Sequence, residues 1–271
     1  MNSKNKKLKI GIIGVGYVGG ALKYWLDSQG FSSFFYDKHK EIGSLQDLNK
    51  AEIIFICLPT PFNEENKKGF DDSAIWEVLE KIEGKKIIII KSTVLPGSTE
   101  AYQAKFPQHK FLMNPEFLTA KTAIRDFLNS ERQIVGYTKK SKDIAKDILD
   151  ILPRASLEKI VKTTEAEIIK YFCNIFLANR VIFANQMYDL CQKIGIDYKT
   201  VEECAGADPR IGHSHFDIFY NDYRGYGGNC FPKDTKAFIQ FAEKLGVEPK
   251  LFKTLEEINK ELINRDHNEE R

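Results

Sequence analysis

The sequence predicts an α/β protein with an N-terminal doubly wound parallel sheet, followed by an all-helical domain built on one long helix. Two observations carry this. The first half alternates short apolar runs with helix-like segments, the pattern of a parallel sheet covered on both faces. From Thr164 to Ile194 the chain then has neither proline nor glycine, and its apolar residues recur at helical spacing. The predicted domains are residues 1–162 and 163–271.

The strand candidates are Lys9–Ile13, Ser33–Tyr36, Ile53–Cys57, Ile87–Lys91, Lys110–Met113, Gln133–Gly136 and a short Glu158–Lys162. Between them, helices are expected over Val18–Gln29 (ending at Gly30), Asp71–Ile82, Ser98–Lys105 and Ser141–Leu152. Thr164 with Glu167 resembles a capping box opening the long helix, which Gly195 stops. Helices at Tyr198–Ala205, Thr235–Leu245 and around Leu251–Leu262 follow, and the polar tail NRDHNEER reads as frayed.

Composition narrows the function classes. The 271 residues suffice for one large or two modest domains, and 42% hydrophobic with 29% charged content is ordinary for a soluble protein. A formal net charge of +2 makes no electrostatic case for nucleic acid or membrane partners. The N-terminus lacks a signal-peptide apolar core, and no run spans a bilayer, so the expected location is cytoplasmic. Five cysteines without a CxxC pair, and five histidines without ligand spacing, argue against disulfides and metal. His213 and His215 alternate in a loop, which reads as a solvated one.

Gly14-Val15-Gly16-Tyr17-Val18-Gly19 follows the first strand and opens the first helix, the context that the Rossmann-type dinucleotide fingerprint requires. Gly14 permits the tight turn, Gly16 lets backbone approach a pyrophosphate, and Gly19 lets helix and strand pack. Tyr17 and Val18 belong to the same loop. Asp37 ends the second strand where ribose hydroxyls should lie; a carboxylate there accepts from a 2′-OH and repels a 2′-phosphate. The expected cofactor is therefore NAD, with Lys38 and Lys40 softening that preference and a plain turn role for Asp37 as the other reading. Pro59 and Thr60 in LPTP, and Ser92 and Thr93 in KSTVLPG, lie just past strands, where open sheets bind ligands. Ser98 and Thr99 read as helix caps.

Downstream, Asn114-Pro115-Glu116-Phe117-Leu118 follows a strand, and Lys170 and Asn174 share a helix face. Asp208-Pro209-Arg210-Ile211-Gly212 precedes GYGGNCFPKDT, in which Cys230 stands before a helix start, where backbone N–H groups lower a thiol pKa. Each residue alone also has a dull explanation: a loop acid, a surface lysine, a buried thiol.

With these stretches in hand (GVGYVGG, LPTP, KSTVLPGST, NPEFLTAKTAIRD, EAEIIKYFCNIFLANRVIFAN, DPRIG and GYGGNCFPKDT), the chain resembles the UDP-glucose/GDP-mannose dehydrogenase family from Lys9 to about Leu245. The resemblance implies NAD-dependent, four-electron oxidation of a nucleotide-sugar C6 alcohol to a carboxylate, with UDP-glucose as the default substrate. It implies Cys230 as nucleophile, Lys170 and Asn174 at the oxyanion, and Thr93, Glu116 and Asp234 positioning and activating water. Lys233 would lie near the cofactor. Phe117, Leu118, Tyr226 and Gly227 would contact substrate, together with Glu116, Lys170 and Asn174. Arg210 would reach the neighbouring subunit's site in a homodimer built on the long helix.

Family members usually carry a third, nucleotide-binding domain, so the resemblance is to a short form. The loop from Gly212 to Arg224 is also longer and more aromatic than the family's. Two other readings stay open: a dehydrogenase for another sugar nucleotide or a smaller hydroxy substrate, and a non-catalytic NAD-binding relic.

Overall fold

The computed structural model describes residues 8–64, 69–220 and 223–269. In chain order the elements are β1 (Lys9–Ile13), α1 (Tyr17–Ser28), β2 (Ser32–Asp37), β3 (Ile42–Gly43), α2 (Leu45–Leu48), β4 (Ile53–Ile56), β5 (Phe62–Asn63), β6 (Gly69–Phe70), α3 (Ser73–Leu79), β7 (Ile87–Ile90), α4 (Ser98–Lys105), β8 (Lys110–Met113), α5 (Ala123–Leu128), β9 (Arg132–Tyr137), α6 (Ala145–Ile151), β10 (Leu157–Lys162), α7 (Thr163–Ile194), α8 (Tyr198–Gly206), β11 (Phe219–Tyr220), β12 (Tyr223–Arg224), α9 (Phe231–Lys244) and α10 (Lys250–Glu269). They form two compact units, Met1–Pro61 with Asp71–Lys170, and Phe62–Phe70 with Tyr171–Arg271.

The first unit holds an 8-stranded sheet in the order β10-β9-β8-β7-β4-β1-β2-β3. Its middle is parallel, β4 and β7 pairing through Ile53↔Ile87 and Ile56↔Ile90, and β1 running alongside β2 and β4. All four residues of β4 are buried, as expected for a strand covered on both faces. Ile12, Leu22, Phe55, Ile89 and Leu112 belong to the core that fills one of these faces.

The sheet is not parallel throughout. β3 turns back on β2, and β9 runs antiparallel to β8. Between β8 and β9 lie a short 3-10 turn (Ala120–Thr122) and the 6-residue α5, and β9 returns antiparallel beside β8.

The second unit is organised on α7, whose Ala178, Val181 and Ile182 pack with Tyr226, Leu255 and Leu262. It is not all helical: the hairpins β5–β6 and β11–β12 belong to it. The β5–β6 hairpin is held to α9, with a Cβ at Gly69 falling 2.3 Å from the Gln240 amide. Gly195, at φ 75°, ends α7 as expected.

Several boundaries differ from expectation. α9 begins at Phe231, four residues before the predicted start, with Pro232 in its first turn. α10 continues to Glu269, so the tail expected to fray is helical that far, and residues 270–271 lie outside the described residues. The predicted capping box does not form at Thr164 and Glu167. Instead Glu165 accepts from the Lys162 N–H at 2.8 Å, the same device two residues earlier.

Candidate active site

The turn after β1 has the geometry of a pyrophosphate seat. Gly14 has φ 85°, and a Cβ there would lie 2.5 Å from the Cys57 carbonyl oxygen. A Cβ on Gly19 would come within 1.9 Å of the Gly14 oxygen, so α1 sits against the turn as only glycine allows. At Gly16 a Cβ would meet nothing within 4 Å, and this residue is the N-cap of α1. The three glycines thus divide into two that pack and one that leaves exposed backbone at a helix N-terminus, where a diphosphate is favoured.

Asp37 ends β2, and its carboxylate accepts the N–H of Val15 at 2.8 Å and those of His39 and Lys40 at 3.1 Å. Burial opposes its ionisation, but these backbone donors and the Lys40 charge outweigh burial and hold the carboxyl below the usual range. Asp37 therefore has the turn role read from sequence, and its carboxylate lies beside the fingerprint turn. Lys40 donates to the Val15 carbonyl at 2.6 Å, which places a cation beside that acid.

The loops after β4 and β7 fasten each other. Thr60 Oγ1 donates to the Thr93 carbonyl, and Ser92 Oγ to the Leu58 carbonyl, both at 2.7 Å. The Thr60 and Ser92 hydroxyls, expected to touch cofactor, give their hydrogens to this clasp and keep their oxygens as acceptors. Ser98 and Thr99 are not caps, since Gly97 is the N-cap of α4. The cap is Glu167 of α7, which accepts from Gly97 N at 2.6 Å, Thr99 N at 2.9 Å and Thr99 Oγ1 at 2.6 Å. Burial pushes Glu167 up to about 7 despite these donors.

After β8, the Glu116 carboxylate meets the Lys170 ammonium at 2.8 Å, with both side chains nearly buried. Burial works against the Glu116 charge, yet Lys170 above all, then the Leu118 N–H and Lys91, hold its pKa below the ordinary value. The Leu118 N–H lies 2.7 Å from Glu116 Oε2, so it is not the free backbone contact expected for substrate. The Phe117 ring packs between Arg132 and Lys170, 4.1 Å and 5.7 Å from its centroid.

In the second unit, Cys230 is the exposed N-cap of α9, and its carbonyl accepts the Asp234 N–H at 3.0 Å. Asp234, 1% exposed, accepts from Asn174 Nδ2 at 2.6 Å and pairs with Lys233. Lys233, expected near the cofactor, is thus engaged by its neighbour. Lys170 and Asn174 stand four residues apart on α7, as predicted.

One substrate assignment is overturned. Tyr226 is 2% exposed, its hydroxyl donates to Glu256 at 3.0 Å, and its backbone N–H and carbonyl are both taken by Asn259. It anchors the glycine loop to α10. Gly227 is half-buried, and a Cβ there would lie 2.4 Å from the Tyr223 hydroxyl. Arg210 is exposed and forks onto Asp208, with Nη2 at 2.6 Å.

Sequence reasoning passed over three participants. Glu167 was assigned to its own helix. Lys91 was read only as a strand end. Arg180 donates to the carbonyls of Ile211, Gly212 and Ser214, fixing the loop that carries His215 at φ 66°. Only the buried lysine after an apolar strand left a signal, since Lys is rarely fully buried without a reason. Among the described residues, no group of three or more His, Cys, Asp or Glu could hold a metal ion, and no helix is long and apolar enough to cross a membrane.

The glycine seat, the acid at the end of β2 and the doubly wound sheet define a dinucleotide-binding α/β protein. Residues 44–152 match the NAD binding domain, and residues 164–261 the central domain, of one family. The chain belongs to the UDP-glucose/GDP-mannose dehydrogenase family. It is 35% identical over 222 residues to the UDP-glucose 6-dehydrogenase of Rickettsia prowazekii (strain Madrid E), covering 79% of this chain and 50% of that protein. It is 33% identical over 223 residues to UDP-glucose 6-dehydrogenase TuaD of Bacillus subtilis (strain 168), covering 78% and 47%. Among solved structures, a UDP-glucose dehydrogenase from the hyperthermophilic archaeon Pyrobaculum islandicum superposes with a TM-score of 0.83 at 27% identity, covering 96% of this chain and 69% of that one. The chain spans about half the length of the curated relatives it matches.

Proposed function

We propose that this chain carries the oxidising machinery of a nucleotide-sugar 6-dehydrogenase, with UDP-glucose the substrate to test first. The observation that carries the reading is Cys230, an exposed thiol at the N-cap of a 14-residue helix whose first turn holds the Asn174–Asp234 pair. The relatives named UDP-glucose 6-dehydrogenase support the substrate class.

NAD, seated on Gly14, Gly16 and Gly19 with Asp37 beside it, would supply the hydride acceptor for both oxidations. Cys230 attacks the C6 aldehyde, and the resulting thiohemiacetal keeps that reactive carbonyl on the protein until it becomes a thioester. Cys230, as the N-cap of α9, stands at the positive end of that helix, which favours negative charge on its sulfur. Asn174 keeps one amide hydrogen for the substrate oxygen while the other holds Asp234. Lys170 donates to the oxyanion, and Glu116, kept ionised by it, takes the proton from the water that hydrolyses the thioester. The Thr93 hydroxyl, whose carbonyl is fixed by Thr60, orients that water.

A panel of nucleotide sugars assayed for NADH tests the reading. Two NADH per UDP-glucose, lost in Cys230→Ser, is the expected result. One NADH per substrate, or a fully active Cys230→Ser protein, contradicts the covalent route.

A further inference from the structure

Lys91, the residue after β7, is 2% exposed, and its ammonium finds a single hydrogen-bonding residue. That residue is Asn114, reached through Oδ1 at 2.6 Å and through its carbonyl at 3.4 Å. Asn114 is itself fully buried and donates Nδ2 to the Ile134 carbonyl at 2.8 Å, which turns its oxygen toward the lysine. Its backbone N–H is held by Ile90 at 2.8 Å. The remaining face of the ammonium lies over the Phe127 ring, 5.4 Å from the centroid. Among the described residues no carboxylate reaches Lys91 within ion-pair distance.

A buried cation without its own counter-ion is costly, and a strut between β7 and Asn114 needs no charge. Three ionisable groups from other elements feel it: Cys57 after β4, Glu116 after β8, and Lys170 on α7. Burial pushes the Cys57 thiol up to about 12, so it stays neutral. Glu116 thus faces two buried cations and touches Lys170.

We propose that Lys91 is a positioning residue: held by Asn114, it fixes the Asn114–Pro115–Glu116 turn and keeps Glu116 ionised against Lys170. The inference rests on the reading of Glu116 and Lys170 as site residues, but its physical content can be tested without substrate. Burial lowers Lys91 itself to about 8, so its charge is present at neutral pH and lost in mildly alkaline solution.

The experiment compares the parent with Lys91→Met and Lys91→Arg, each also in a Glu116→Gln background. Unfolding free energy is followed by denaturant between pH 3 and 7, and turnover is measured with NAD and UDP-glucose. In Lys91→Met the Glu116-dependent loss of stability should move toward neutral pH, and the Glu116→Gln background should abolish that movement. kcat should fall about tenfold or more with KM little changed, and Lys91→Arg should recover most of both effects. An unmoved acid limb in Lys91→Met overturns the proposal, whatever the turnover. Should Lys91→Met not fold, Lys91→Gln is read in the same way. A protein inactive on every nucleotide sugar, yet showing the shifted limb, would refute the proposed function and leave the role of Lys91 standing.

Discussion

Glu116 and Lys170 are 54 residues apart in sequence and 2.8 Å apart in space, nearly dry, and Lys170 is the main charge holding Glu116 ionised. Removing one member of a buried pair leaves an uncompensated ion, so Glu116→Gln should cost about 3 kcal/mol at pH 7 in a denaturant titration. The sign with pH follows from the lowered pKa. The contribution of Glu116 is complete above its unfolded value near 4.5 and is lost as pH falls through the folded value. Glu167 acts oppositely, because its folded pKa is raised to about 7. Its contribution is present below 4.5 and lost as pH climbs toward 7, a decline of about 3 kcal/mol. Glu167→Gln, which keeps an oxygen for Thr99 but sets its amide hydrogens against the Gly97 N–H, should lower stability overall and flatten it across that window; an unchanged slope would assign it to another group. Of these two acids, the motif around Glu116 was legible in sequence. The partner of Glu167 was not, because Thr99 is 68 residues away and a Thr-x-x-Glu spacing offered a local explanation.

At the scale of elements, the fingerprint glycines do different work and should fail differently. Gly19→Ala drives a Cβ into the Gly14 carbonyl, a backbone atom with no room to yield, and should destabilise by about 3 kcal/mol. Gly16→Ala meets nothing in the protein, so the thermal midpoint should stay within about 2 °C while NAD affinity, read by calorimetry, falls about tenfold. Equal losses of stability in both variants would contradict this division. The strands of the first unit were readable because buried parallel strands are short apolar runs bounded by breakers, as Ile53–Ile56 and Ile87–Ile90 are. The 2-residue strands β5 and β6 carry no period for a sequence to reveal, and their place in the second unit is set by a tertiary contact with Gln240. The helix range read from sequence starts at Thr235, four residues late, although Cys230 reads as standing before a helix start; Pro232 is accepted in the first turn. The Tyr226 assignment failed similarly: its neighbours are motif residues, but Asn259, 33 residues on, takes both of its backbone groups.

At the scale of the whole molecule, α7 presents a row of apolar side chains to solvent. Phe172 is 70% exposed, Phe183 57% and Ile194 61%, with Phe172 and Phe176 stacked at 6.3 Å. Isolated exposed apolar residues are ordinary, but a recurring row along one long helix is the mark of an interface. The family resemblance read from the sequence implies a homodimer built on this helix, with a second copy covering the row. Phe172→Glu with Phe183→Glu should convert a dimer into a folded monomer by light scattering; a parent already monomeric at micromolar concentration would refute the assignment. The proposed function rests on the Cys230 sulfur holding substrate between two oxidations. The most direct measurement is mass spectrometry of the Cys230 peptide after acid quenching during turnover with NAD and UDP-glucose. The account predicts a nucleotide-sugar adduct on Cys230 that accumulates when Glu116→Gln slows hydrolysis. Sustained NADH formation with Cys230 unmodified, in both the parent and that variant, would contradict it.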